Sequence, residues 1–262
     1  MKAWTFLLIF LFSPLFALYN GNPSQPDMPE VGIWISNDDW WGIKLGYEWD
    51  NTFEKRIKVK ERVSSVRERF DCYSTKKNEG VLTFNVSDRF EFYGKLGMMK
   101  LDLSQRPINT IKIDYRSDNQ FLWGAGGRII LVYWEEMVLG VNALYSGSFM
   151  HINKIMENGA PRKTSGARFK YCEWQIGMSV SREIGIFNPY IGVAYSSFNS
   201  SLYNIPKDPN YSMTIADEDL EMRDPFILLL GVGLTKGKNV SVNLESRLIG
   251  EKAISLTGSV RF

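Results

Sequence analysis

The stretch Ala253-Ile254-Ser255-Leu256-Thr257-Gly258-Ser259-Val260-Arg261-Phe262 closes the chain and sets a pattern for the rest. Ile254, Leu256, Gly258, Val260 and Phe262 share one parity; Ser255, Thr257, Ser259 and Arg261 share the other. A β-strand sends successive side chains to opposite faces. The stretch therefore reads as a strand with one apolar and one polar face, ending on an aromatic ring. A soluble sandwich strand shows the same alternation, so the spacing of similar segments has to decide.

Similar segments recur along the chain. Ile43, Leu45, Tyr47 and Trp49 are apolar, with Lys44, Gly46, Glu48 and Asp50 between them. Phe90, Phe92, Leu96 and Met98 alternate with Glu91, Tyr93, Lys95 and Gly97. The same period appears around Trp123 to Leu131, Leu139 to Tyr145, Ile176 to Val180, Ile191 to Tyr195 and Val240 to Leu244. None of these segments has the helical period.

The links between segments alternate in length. Short ones fall at Asp88–Arg89, Glu135–Glu136, Arg182–Gly185 and Lys236–Lys238; long polar ones fall at about 59–77, 104–118, 152–165 and 201–224. The link Gly250-Glu251-Lys252 is the exception. Outer-membrane barrels have short periplasmic turns and long outer loops, whereas a sandwich has no reason to sort its loops. The predicted fold is all-β: a transmembrane antiparallel up-and-down β-barrel over 41–262, with both termini periplasmic. Every short turn must then follow an even-numbered strand. Ten strands satisfy this, at about 42–58, 78–87, 90–103, 119–134, 137–151, 166–182, 187–200, 225–236, 239–248 and 253–262. Twelve also do, by adding 31–36 and 62–73.

Composition agrees with this reading. The aromatic share of 14% suits two interfacial belts, and a polar lumen keeps the mean hydropathy at −0.19. A formal charge of +2 gives no long-range field for nucleic acid. Residues 1–17 read as a signal peptide: Lys2 precedes the apolar run from Ala3 to Phe12, Ser13-Pro14 breaks it, and Ala17 is a small residue placed for cleavage. Removing those 17 of the 262 residues leaves 245 and a charge of +1. Residues 18–40 form an extended lead-in, rich in Pro and Asn through position 30. An exported chain without an apolar run of spanning length is periplasmic, secreted or outer-membrane; the strands select the bacterial outer membrane. One His and two Cys make no zinc site, and no cofactor or metal is implied.

Several stretches resemble the chlamydial major outer membrane protein, a porin family: residues 80–97 (GVLTFNVSDRFEFYGKLG), 121–128 (FLWGAGGR), 173–181 (EWQIGMSVS), 187–193 (FNPYIGV) and 245–253 (ESRLIGEKA). The lead-in GNPSQP at 21–26 belongs to the same resemblance, and the blocks follow the family's order. A last strand ending in Phe is itself similar to the terminal signal of bacterial outer-membrane barrels. The resemblance implies a homotrimeric porin passing small solutes, with Phe262 as the residue the barrel-assembly machinery takes hold of. This chain is shorter than the family's members, chiefly in the long loops. It is also poor in cysteine, whereas those proteins cross-link through disulfides at the cell surface.

If the apolar parity faces lipid, the lumen set includes Lys44, Glu48, Glu91, Lys95, Arg128, Glu173, Glu245, Arg247 and Arg261. These are candidate pore-lining residues. Five bases against four acids predict little ion selectivity. The competing reading is a filled interior, because side chains already fill a barrel of about eight strands. The first reading makes the protein a passive channel; the second makes it a closed structural or surface-binding barrel facing outer-membrane lipid and lipopolysaccharide. Cys72 and Cys172 leave three options: an internal disulfide, an intermolecular one or two free thiols. His151 falls at the outer rim as a solvated residue rather than a catalytic base, so no enzyme activity is expected. The run Asp217-Glu218-Asp219, with Glu221 and Asp224, is read as a solvated loop, with a divalent-cation site as the alternative.

Overall fold

A computed structural model of the chain describes residues 19–27, 33, 40–60, 69–108, 110–164, 166–205, 218–236 and 239–262. The signal peptide, most of the 31–36 segment and Asp217 lie outside these residues.

Ten long strands form the wall: β1 (Trp41–Lys55), β3 (Arg69–Val86), β4 (Phe90–Ile108), β6 (Gln120–Trp134), β7 (Met137–His151), β10 (Arg168–Arg182), β11 (Phe187–Tyr203), β13 (Phe226–Lys236), β14 (Val240–Leu248) and β15 (Glu251–Arg261). Each pairs antiparallel with its neighbour in that order, and β15 returns to β1 with Lys44 opposite Arg261 and Trp49 opposite Leu256. The ring is closed, so every wall strand has a partner on both sides. A hydrocarbon layer demands this, because an open sheet edge would strand its backbone polar groups in lipid. The observed count is ten; Arg69 to Tyr73, part of one added strand in the twelve-strand alternative, is simply the start of β3.

The outer wall carries an apolar belt. Leu45, Tyr47, Leu82, Phe92, Leu96, Ile176, Met178, Ile191, Val193 and Leu256 all point outward and are exposed. On β4 the outward apolar run extends from Phe90 to Met98, and Lys100 follows it. That matches the roughly 9–11 residues a tilted strand needs to cross a bilayer. Aromatic rings mark both edges. Trp123 lies 5.4 Å from Tyr145, Trp174 5.5 Å from Tyr195, and Tyr195 5.7 Å from Phe226 at the edge nearer the long links. Trp41 stacks on Phe84 at 6.0 Å at the edge nearer the short turns. The chain is a membrane barrel.

Above the belt the alternation inverts. Outward positions become charged, as at Lys76, Lys100, Asp102, His151 and Arg168, while inward ones become apolar. Tyr73, Met99, Leu101, Leu103, Met150, Phe169, Phe198, Leu202 and Leu229 are buried there in one cluster. The short strands β2 (Ile57–Val59), β5 (Ile111–Arg116), β8 (Lys154–Glu157), β9 (Ala160–Arg162) and β12 (Glu218–Met222) extend the sheet at this end. Ile57, Ile113, Tyr115, Ile155, Leu220 and Met222 add their side chains to the same cluster. The long links are thus partly strands, and β3 and β4 run further than the expected 78–87 and 90–103. Past the membrane, water rather than lipid bathes the outside, so the apolar face turns inward.

Candidate functional site

The functional centre of a barrel is its lumen, and here the lumen is filled. All nine expected lining residues point inward, and none is more than 7% exposed. They do not line an open channel but pair with one another. Lys44 Nζ lies 2.7 Å from Glu91 Oε1, and Arg128 Nη1 lies 2.7 Å from Glu91 Oε2. Lys95 reaches Glu48 at 2.7 Å, Arg247 reaches Asp50 at 2.8 Å, and Lys55 reaches Glu173 at 2.5 Å and Glu251 at 3.0 Å. Arg261 meets Asp88 at 2.8 Å at the short-turn mouth. Asp50, Lys77, Glu79 and Glu251 share the inward parity, and a bulge after Thr52 turns Lys55 into the same interior, bringing this lumenal set to seven of each sign. Glu48 and Glu79 face each other directly across β1 and β3, and one oxygen of each has no hydrogen-bond partner among the described residues.

The lead-in occupies the remaining space. Residues 19–26 are all buried inside the wall, without regular secondary structure. Glu245 holds this segment by its backbone: the amides of Asn20 and Gly21 donate to its two carboxylate oxygens at 2.7 and 2.9 Å. Lys44 donates to the carbonyl of Gln25 at 2.6 Å, Arg128 to the Gln25 side chain at 3.1 Å, and Asn85 to the carbonyl of Pro26 at 2.6 Å. Ser24 meets Ser181, and Asn142 donates to Asn20 at 3.1 Å. The wall makes room with inward glycines. A Cβ on Gly177 would sit 2.6 Å from the Asn20 amide, and one on Gly233 would strike Asn22. A cavity of about 30 Å³ remains beside Tyr19, Gln25, Glu48, Tyr93, Lys95 and Thr257, enough for about one water molecule.

Two independent closures therefore stack in the lumen. The polar segment 19–26 fills the half toward the short turns; the apolar cluster of Tyr73, Leu101, Phe169 and Phe198 fills the half toward the long links.

No protein-family model matches the chain. Among curated proteins it is similar to the major outer membrane porin of Chlamydia psittaci, at 22% identity over 264 aligned positions covering 76% of this chain and 67% of that one. Among solved structures it is similar to the outer membrane protease OmpT from Escherichia coli, at 12% identity and a TM-score of 0.40, covering 84% of this chain and 93% of the other. An outer membrane channel from Pseudomonas putida F1 gives 9% and 0.42, covering 87% and 100%. The outer membrane protein OprG from Pseudomonas aeruginosa gives 8% and 0.39, covering 84% and 96%.

The remaining candidates are spread over the outer rim and the seam. Cys72 on β3 and Cys172 on β10 are both free. Three strands separate them, roughly 19 Å at the spacing of paired strands, and a disulfide needs Cα atoms within about 7 Å. Cys172 instead meets the Tyr145 hydroxyl at 3.1 Å. Burial pushes the Cys72 thiol above its ordinary pKa, and the Asp102 carboxylate adds to the shift. His151 is exposed on the outer face opposite Arg168. Of the acidic run, Glu218, Asp219 and Glu221 lie on β12 rather than in a loop. Glu221 pairs with Lys58 at 3.0 Å, Asp224 with Arg56 at 3.2 Å, and Asp219 accepts from Ser201 at 2.6 Å, so these carboxylates are spread over separate partners. Phe262 donates its amide to Ile43 at 2.9 Å, on the seam where the first and last strands meet.

Proposed function

We propose that this chain is a barrel of the bacterial outer membrane that is closed by its own N-terminal segment and acts as a structural or surface-binding protein. The observation that carries the reading is the burial of Tyr19 to Pro26 between Glu245, Lys44 and Arg128, beneath a second and apolar closure. A conducting pore needs a continuous aqueous path, and both halves of this lumen are occupied. The apolar belt and the closed wall support the membrane; the Chlamydia psittaci relative, named a porin, supports the outer membrane. In this reading the short turns and both termini face the periplasm, Phe262 serves the assembly machinery, and the long-link end faces lipopolysaccharide and the exterior.

Passive diffusion of small solutes is the second reading, and one observation favours it. The segment in the lower lumen is polar and held by hydrogen bonds, so it can leave for water more cheaply than an apolar plug could. Planar-bilayer recording of the purified chain separates the two. Insertion with no steady conductance is expected. Steady conductance from the unaltered chain would establish the channel and refute the closed barrel.

A further inference from the structure

We propose that the outer wall just above the aromatic edge carries a phosphate site for lipid A, the phosphorylated glycolipid anchor of lipopolysaccharide, centred on Lys76 of β3 and Lys100 of β4. The proposal rests on the outer-membrane reading above. Lys76 and Lys100 are direct cross-strand partners, and both are exposed on the outer face. Like charges placed opposite each other destabilise an antiparallel pair. Four other cations at this end pair with carboxylates: Lys252 with Glu54, Arg116 with Asp102, Arg106 with Asp71 and Lys58 with Glu221. Among the described residues Lys76 and Lys100 have no such partner. The two residues instead stand side by side, with Cβ atoms about 5 Å apart as for direct cross-strand partners.

Their height identifies the anion. Two residues below Lys100 is Met98, at the end of the lipid-facing run on β4. Two residues below Lys76 is Asn78, which accepts from the belt-edge Tyr47 hydroxyl at 2.7 Å. The pair therefore sits at the boundary where hydrocarbon ends, the level of the lipid A phosphates. One phosphate can accept hydrogen bonds from both ammonium groups and remove their mutual repulsion. The opposite edge shows no comparable pair among the described residues: Arg182 has Glu136 at 2.9 Å, and Arg89 lies 5.4 Å from the Tyr133 ring centre. The asymmetry also orients the barrel, placing the long-link end in the lipid A leaflet.

The test uses the full-length protein in phosphatidylcholine nanodiscs, titrated with bis-phosphorylated lipid A and read by native mass spectrometry. The K76Q/K100Q variant should bind roughly thirty-fold more weakly, the loss of two basic side chains at an anionic surface. Lipid A stripped of its phosphates should bind the wild type as weakly as the intact lipid binds the variant, and K76R/K100R should retain affinity. Equal affinity in wild type and K76Q/K100Q, both shown to be folded by heat-modifiable migration, overturns the site. Complete displacement of lipid A by millimolar inorganic phosphate overturns the assignment to lipid. A wild-type chain that neither enters the disc nor shows heat-modifiable migration overturns the outer-membrane reading itself.

Discussion

Glu245→Ala should release the lumenal segment while leaving the wall intact. Glu245 accepts the Asn20 and Gly21 amides at 2.7 and 2.9 Å in a site with no exposure to water. Hydrogen bonds to a charged group contribute about 1.5–3 kcal/mol each. Losing both removes about 3–6 kcal/mol, on the order of 10²- to 10⁴-fold in the balance between docked and undocked segment. The backbone ladder of residue 245 to Gly231 and Ser255 does not depend on its side chain, and Arg247 keeps Asp50. Hydrogen exchange in detergent, read by mass spectrometry over residues 18–30, measures the effect directly. The amides of Asn20 and Gly21 should lose protection by about that factor, while β14 and β15 keep theirs. Glu245→Gln retains neutral acceptor capacity and should give a smaller loss. Unchanged protection at both amides in Glu245→Ala would refute the claim that this carboxylate holds the segment.

Phe198→Ala should cost about 3–5 kcal/mol, because the ring packs edge-on against Tyr73 at 5.2 Å and tilted against Tyr171 at 6.0 Å in the upper core; an unshifted denaturant midpoint would contradict this. Arg247→Met leaves Asp50 and Glu245 buried without the cation they share and should also cost about 3–5 kcal/mol. Asp50→Asn in the same chain should recover part of that loss, and additive losses would show that the Asp50 pair is not coupled. Cys72 should alkylate more slowly than free cysteine in a Cys172→Ser background. Its raised pKa lowers the thiolate fraction at any pH below it, and its Sγ also donates to the Phe53 carbonyl at 3.8 Å. The pH midpoint of iodoacetamide labelling should therefore lie above the ordinary value of about 8.5, and a midpoint at or below it would count against the half-buried setting of the thiol.

Within the belt the wall was legible residue by residue. A strand in lipid has one solvent on each face, so the alternation of Phe90, Phe92, Leu96 and Met98 against Glu91, Tyr93 and Lys95 leaves little choice of orientation. The same rule failed above the belt. At Tyr73, Leu101 and Phe169 the apolar parity points inward, and a pattern read as lipid-facing apolar and lumenal polar makes these stretches look like polar loops. The nine residues expected in the lumen are all buried, and the same parity carried one position further along β1 reaches Asp50. Lys77 and Glu79 fell near the boundary of an assumed loop and were missed. So was the segment from Tyr19 to Pro26, whose only local trace is small residues at inward positions such as Gly177 and Gly233.

For Ala253–Phe262, the sequence alone determined that this strand has two faces and belongs to an antiparallel barrel. That much follows from a two-residue period and from links sorted by length, both of which are local. The tertiary structure alone decided that the strand closes on β1, that Arg261 is spent on Asp88, and that the lumen it borders is full. Those outcomes depend on which charges meet across the interior and on the volume left inside ten strands. Neither quantity is written in any one segment of the chain.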